Sequence, residues 1–295
     1  MTFERAGISS LAAGLWRLPD WGLSAAELAR WTHGVLDLGV TTVDLADIYG
    51  GYTVEESFGA ALREAPGLRD RLHLVTKCNI KLKSERRPEH TRHVYDSSAA
   101  HIIASAENSL AMLGTDRLDT FLLHRQDPLM DPDEVAEAFA ELQRSGKVLN
   151  FGVSNFTPSH FSMLQSRLPM ALKAHQVEAS ALCLDPFEDG TFDQLLERRV
   201  VPMAWSPLGG GSLFQAAEDR TARVREALER VGREVQLSAA GAAFAFLARH
   251  PSGIVPVTGT QQLERIAEAQ AALSVRLSRE QWFEIWTAST GSSLP

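Results

Sequence analysis

A chain of 295 residues with 44% hydrophobic content is long enough to bury a full core, and it lacks the roughly 18-residue apolar run that a membrane helix needs. Its formal net charge of −8, with no run of basic residues, argues against nucleic acid and anionic membranes as partners, so any phosphate needs a local site. Two cysteines, Cys78 and Cys183, are too few for a disulfide framework and lack metal-ligand spacing, so both read as reduced thiols and no metal is expected.

In chain order, Met1 to Gly7 lack the basic-then-apolar pattern of a secretory signal, which predicts a cytoplasmic protein. Leu11 to Trp16 reads as a first strand, with Arg17 to Gly22 as its loop. Ser24 caps a helix through about Leu38, and Glu27, three residues on, completes a capping box. The β-branched run Gly39 to Val43 is a second strand closed by Asp44; Tyr49 follows five residues later, and Gly50-Gly51 marks a turn. A helix from about Val54 to Glu64 leads to a third strand, Leu72 to Lys77.

A long polar loop runs on through Asp96, and loops of that length are functional or mobile. Its basic residues Lys81, Lys83, Arg86 and Arg87 are mixed with Ser84, Glu85 and Pro88 and read as a solvated loop. Ile102, Ile103, Ala106 and Leu110 stand at helical spacing between Ala99 and Leu113, before a fourth strand, Thr120 to His124. Asp131-Pro132 opens a helix that stops near Ser145-Gly146-Lys147. Val148 to Val153 is a fifth strand ending at Ser154-Asn155, followed by an N-cap at Thr157 with proline at the first helical turn. Leu172 to Val177 is a sixth, with Gln176 and Glu178 at its end; Val200 to Trp205 is a seventh, running into Ser206-Pro207-Leu208-Gly209-Gly210-Gly211. Ser252 to Val257 is the eighth, followed by Thr258-Gly259-Thr260 and a helix from Gln261. Trp282 and Trp286, four apart, make a helix's packing face with Phe283 and Ile285.

Eight strands alternating with helices, undivided by any linker over residues 1–295, predict a single-domain α/β fold, a (β/α)₈ TIM barrel. A doubly wound sheet would carry a glycine fingerprint after its first strand, and Gly14-Leu15-Trp16-Arg17 is not one. Barrel active sites are built at the C-terminal ends of several strands, so Asp44, Lys77 and His124 are expected to converge beneath Tyr49.

A phenol with a pKa near 10 suits a general acid. A positive charge about 4 Å away is worth roughly 4 kcal/mol at an effective dielectric of about 20, enough to bring that pKa down by two or three units. Lys77 supplies the charge, Asp44 keeps Lys77 protonated despite burial, and His124 is a second donor to a carbonyl oxygen. Strand alternation turns Thr76 and Cys78 outward if Lys77 points inward, which makes Cys78 a packing residue. These four residues do not specify what attacks the carbonyl carbon. Ion pairs at strand ends also occur as purely structural elements. A Schiff-base aldolase using Lys77 is a rival reading of the same residues.

The segments Asp44 to Gly50, Thr76-Lys77, Ser105 to Asp116, Leu123 to Arg125, Gly152 to Phe156 and Ser206 to Gly211 resemble, in order and spacing, those of aldo-keto reductases. The resemblance runs from Gly14 to about Gln270. It implies a barrel that binds a nicotinamide cofactor without a Rossmann domain and passes hydride from NADPH to an aldehyde or ketone, with Tyr49 as proton donor in the tetrad Asp44, Tyr49, Lys77 and His124.

It further implies cofactor contacts from Asp44 and from Gly14, Leu15 and Trp16 at the first-strand turn. Ser154, Asn155 and Gln176 match the carboxamide-binding positions, Trp205 the aromatic stacked on the nicotinamide, and Ser206, Leu208 and Gly210 the loop over the pyrophosphate. Gly259, Thr260 and Arg265 match the surroundings of the 2′-phosphate, and Gln270 a position near adenine. NADPH-selective members often have lysine where this chain has Gly259, so NADP(H) is expected on the strength of Arg265, with NAD(H) as the second cofactor. Trp21 and Arg125 are the expected substrate-pocket residues, and the tail 291–295 is too short to cover them, which predicts an open pocket. A small-molecule carbonyl is the expected partner and a monomer the expected state. The resemblance also admits a non-catalytic, redox-sensing subunit that binds the nucleotide and works through a partner.

Overall fold

The computed structural model describes residues 6–215 and 219–293. Eight parallel strands close into a barrel: β1 Ala12–Gly14, β2 Thr42–Asp44, β3 His73–Cys78, β4 Leu118–Leu123, β5 Val148–Ser154, β6 Ala174–Glu178, β7 Val201–Trp205 and β8 Val255–Thr258. Each pairs with its neighbours in sequence, and β8 returns to β1 with Val257 opposite Ala12. Around them run α1 Ala25–Asp37, α2 Val54–Glu64, α3 Ala99–Leu113, α4 Pro132–Arg144, α5 Pro158–Gln165, α6 Thr191–Arg198, α7 Asp219–Val235, α8 Ala239–Ala248, α9 Leu263–Ala272 and α10 Arg279–Thr290. The helix starts are set by the residues expected: Ser24 and Glu27 form a reciprocal capping box, and Thr157 caps α5 ahead of Pro158. Among the described residues, no helix is long and apolar enough to cross a membrane.

Alternation along the strands makes two cores and a site. Val75, Leu122, Ala174 and Met203 fill the barrel interior, whereas Leu74, Phe121, Leu123 and Cys78 pack in the layer between strands and helices. Two residues beyond each interior position, at the C-terminal rim, the inward side chain turns from apolar to functional: Lys77, His124, Gln176 and Trp205. Cys78 lies outward as expected, and burial pushes its thiol well above the ordinary range.

The helical layer has little slack. A Cβ built on Gly59 of α2 would come 2.1 Å from the carbonyl oxygen of Met112 on α3. Gly59→Ala is therefore expected to cost about 1–3 kcal/mol through overpacking, a melting temperature lower by roughly 2–4 °C for each kcal/mol. An unchanged melting curve would show that α2 and α3 can separate freely.

The long loop after β3 is more ordered than its sequence suggests. Ile80–Lys81 pairs antiparallel with Val94–Tyr95, strands too short to show any periodicity. Asn79, with a φ of 81°, anchors the hairpin. Its Nδ2 donates to Ser97 Oγ at 3.0 Å and to Arg125 O at 2.8 Å, and its Oδ1 accepts from the N–H groups of His124 and Arg125 at 3.0 Å each.

Candidate active site

Lys77 Nζ, wholly buried at the end of β3, is the hub. It donates to Asp44 Oδ1 and Oδ2 at 2.8 and 2.9 Å, to Leu45 O at 2.7 Å and to Tyr49 Oη at 3.2 Å. Asp44, 3% exposed, arrives from β2 one strand away, and Tyr49 from the turn that follows it. Burial alone would drive Lys77 towards the neutral amine, but Asp44 and Tyr49 outweigh it and hold the ammonium above its ordinary pKa.

For Tyr49 the balance runs opposite to the expectation. Burial raises the phenol more than Lys77 lowers it, and Asp44 raises it further, so its net pKa lies above the ordinary value. The ammonium that should stabilise a phenolate is already bound to a carboxylate, and the pair presents less net charge than a lone lysine would. His124 sits edge-on to Tyr49, ring centroids 5.9 Å apart. Burial, with the charges of Lys77 and Arg125, holds it well below the ordinary imidazole range, and its Nδ1 is buried without a hydrogen-bond partner.

The ends of β5, β6 and β7 add a connected polar rim. Gln176 Nε2 donates to Asp44 Oδ1 at 2.7 Å, which ties this amide to the charged cluster. Asn155 Nδ2 donates to His124 O at 3.1 Å and to Ser154 Oγ at 2.8 Å, while its Oδ1 accepts from Trp205 Nε1 at 3.0 Å. The Arg125 guanidinium lies over the Trp205 ring at 5.9 Å. Beyond Trp205, the loop passes through Gly209, Gly210 and Gly211 at φ of 60°, 65° and 102°, a run that L side chains rarely adopt, and it is closed by the N–H of Gly209 donating to Ser206 O at 2.8 Å and that of Gly211 to Leu208 O at 3.1 Å.

These residues surround a cavity of about 880 Å³ at the barrel mouth. Of the expected positions, Gly14, Trp16, Asp44, Tyr49, His124, Arg125, Ser154, Asn155, Gln176, Trp205, Ser206, Leu208, Gly210, Gly259, Thr260 and Arg265 line it. Three do not. Leu15 points into the helix layer, fully buried, as alternation requires between Gly14 and Trp16. Trp21 is carried back by a 3₁₀ turn ending at Gly22 (φ 64°) and packs on Trp31, ring centroids 5.0 Å apart. Gln270 stands seven residues along α9, roughly 10 Å from its start at 1.5 Å per residue, and meets Ser10 below β1 at 3.3 Å. The helix has carried it away from the mouth.

Arg17, His93 and Tyr95, none of them singled out from the sequence, also line the cavity, as does Glu268, two residues before Gln270. Arg17 donates to Gly210 O at 2.7 Å, across the mouth from β1 to β7. Its position beside Trp16 was the only signal. His93 and Tyr95 come in on the hairpin, which no local pattern announces.

Comparison with known proteins places this geometry among relatives. The profile of the Aldo/keto reductase family matches residues 10–289. Uncharacterized oxidoreductase YcsN of Bacillus subtilis is 49% identical over 293 residues, 99% of this chain and 98% of that protein. A 6-dehydroglucose reductase of Agrobacterium fabrum is 45% identical over 292 residues, 99% of this chain and 97% of that protein. Among solved structures, an aldo/keto reductase from Klebsiella pneumoniae in complex with NADP and acetate superposes with a TM-score of 0.75 at 25% identity, covering 94% of this chain and 90% of that one.

Proposed function

Because the chain belongs to the aldo/keto reductase family, and is on that ground an NAD(P)H-dependent oxidoreductase, we propose that it reduces an aldehyde or ketone with NADPH, Tyr49 giving the proton. The observation that carries this reading is the single ammonium that holds both Asp44 oxygens, at 2.8 and 2.9 Å, and the Tyr49 hydroxyl at 3.2 Å. Lys77 donates to the phenolic oxygen, so the phenol's own proton is free to point elsewhere, towards a substrate oxygen in the cavity. As that proton leaves, charge develops on an oxygen that already faces an ammonium.

His124 acts beside it as a neutral donor. An unpaired acceptor is tolerated inside a protein better than an unpaired N–H, which assigns the proton to Nε2 and leaves Nδ1 bare. Because both donors keep their protons, kcat is expected to stay level between about pH 6.5 and 9, with no inflection near the ordinary histidine pKa of about 6.5. A break between pH 6 and 7 that disappears in His124→Gln would overturn the neutral assignment.

A nicotinamide dinucleotide suits the cavity, whose volume falls within the roughly 300–1,000 Å³ usual for ligand sites. When bound, it supplies hydride to the carbonyl carbon. Gln176, with one N–H of its amide donated to Asp44, keeps its carbonyl oxygen for a carboxamide, with Ser154 and Asn155 beside it. Trp205 would underlie the ring and the 206–210 loop the pyrophosphate. Arg265, exposed on the cavity wall and without an ion pair among the described residues, would take the 2′-phosphate with Thr260. Arg265→Ala is expected to weaken NADPH roughly 10- to 100-fold, the loss of a charge-assisted hydrogen bond, and to leave NADH nearly unchanged. Equal loss of both in a fluorescence titration would place the 2′-phosphate elsewhere.

For the carbonyl itself we favour a hydroxylated, sugar-like compound of the kind named for the A. fabrum relative. Arg125 and His93 supply N–H donors at the mouth, and Trp16 and Tyr95, 64% and 41% exposed, offer aromatic faces. Steady oxidation of NADPH with 4-nitrobenzaldehyde and with 6-dehydroglucose tests the reading. Tight binding without turnover would favour a sensing subunit. Schiff-base chemistry is opposed by a Lys77 that is 0% exposed and held protonated, so borohydride is expected to trap no carbonyl compound on it.

A further inference from the structure

We propose that His175, on the face of β6 turned away from the cavity, is a positioning residue that acts through Asn155 to shape the nicotinamide end of the cofactor site. The proposal rests on the cofactor reading above and is tested separately from it. His175 is wholly buried, and Gln176, next to it, points the other way into the site. Its Nε2 accepts the N–H of Phe156 at 3.1 Å, and its ring stacks on Phe161 of α5, centroids 5.7 Å apart.

The dipeptide His175-Gln176 thus grips the turn at the end of β5 at successive groups. Gln176 O accepts from Asn155 N and from Ser154 Oγ, each at 2.9 Å, and His175 takes the next N–H. Held between the two grips, Asn155 has a φ of 59°, a left-handed conformation that costs a non-glycine residue energy and persists where its surroundings impose it. From that backbone its amide reaches His124 O at 3.1 Å and Trp205 Nε1 at 3.0 Å. One imidazole nitrogen outside the barrel is therefore connected, through a strained turn, to two groups that line the cavity.

The ring's chemistry points the same way. With Nε2 accepting, the proton sits on Nδ1, which is buried and has no partner. Phenylalanine would stack on Phe161 without that cost, so what imidazole adds here is the acceptor for Phe156 N. Burial holds the His175 pKa at about 3, which keeps the ring neutral and accepting at physiological pH.

His175→Phe keeps the stack and removes the acceptor; His175→Gln returns an acceptor near the Nε2 position. Each is titrated with NADPH and with adenosine 2′,5′-bisphosphate, which lacks the nicotinamide half, and melted. His175→Phe is expected to bind NADPH about 10-fold more weakly, the loss of one hydrogen bond's worth of ordering, to bind the bisphosphate like wild type, and to be rescued by glutamine. Wild-type NADPH affinity in His175→Phe, or equal weakening of both ligands, would overturn the proposal alone. A wild type that binds neither ligand would overturn the cofactor reading and this proposal with it. Should His175→Phe not fold, ¹⁵N spectra of the wild-type imidazoles decide: a bare Nε2 with Nδ1–H supports the proposal, and a protonated Nε2 ends it.

Discussion

Tyr49→Phe is expected to lower kcat for aldehyde reduction by roughly 100- to 10,000-fold, the range ascribed to a positioned general acid, while NADPH affinity stays within about 2-fold. The substitution removes one oxygen that touches Lys77 at 3.2 Å and leaves that ammonium its bonds to Asp44 and Leu45 O. The charged cluster therefore survives, and so does the fold. A loss confined to kcat and kcat/KM marks an interaction made in the transition state, whereas a matching loss of cofactor binding would give the phenol a binding role instead. Comparable turnover in Tyr49→Phe would return the proton donor to His124 or to water.

Lys77→Met should damage both stability and rate. It strands the Asp44 carboxylate, 3% exposed, with Gln176 Nε2 as its remaining side-chain donor, and breaking a buried pair from one side costs about 3–5 kcal/mol. That corresponds to a melting temperature roughly 10 °C lower. The pH dependence identifies the cause. In the wild type the pKa of Lys77 is higher folded than unfolded, so its contribution is fully present below about 10.4 and is lost only as pH rises through the folded value. All of it is therefore at stake near neutrality.

In the variant, the Asp44 carboxylate is left buried without its cation, a cost that taking up a proton relieves, so the deficit is expected to shrink as the solution is made more acidic. Adding Asp44→Asn should restore stability without restoring turnover, since neither side chain then helps Tyr49. Melting across pH 4–8 makes the comparison, and a deficit independent of pH would mean that lost packing, not the stranded charge, is responsible.

The residues that could be read from the chain were those that break a pattern. Asp44, Lys77 and His124 each end an apolar run with an ionisable group, and alternation then decides that Lys77 faces inward and Cys78 outward. The residues whose side chains the fold places away from the cavity had no pattern to break. Trp21 looked like a loop aromatic until the turn at Gly22 folded it onto Trp31. Gln270 matched a position whose place depends on how far α9 descends, and Leu15 on which side of one strand residue faces. His93 and Tyr95 reach the mouth through two-residue strands that carry no periodic signal.

Strand count, helix starts, the inward face of each strand and the identity of the four charged or polar groups at the rim were local properties, set by side-chain spacing, caps and β-branched runs, and the chain alone determined them. Distances between groups far apart in sequence were not. That Gln176 binds Asp44, that Asn155 joins His124 to Trp205, and that Asp44 mutes the effect of Lys77 on Tyr49 follow from closing the barrel, which brings strand ends within a few ångströms. Hydrogen bonds and Coulomb interactions fall off over that same distance, so only the folded ring of strands could decide them.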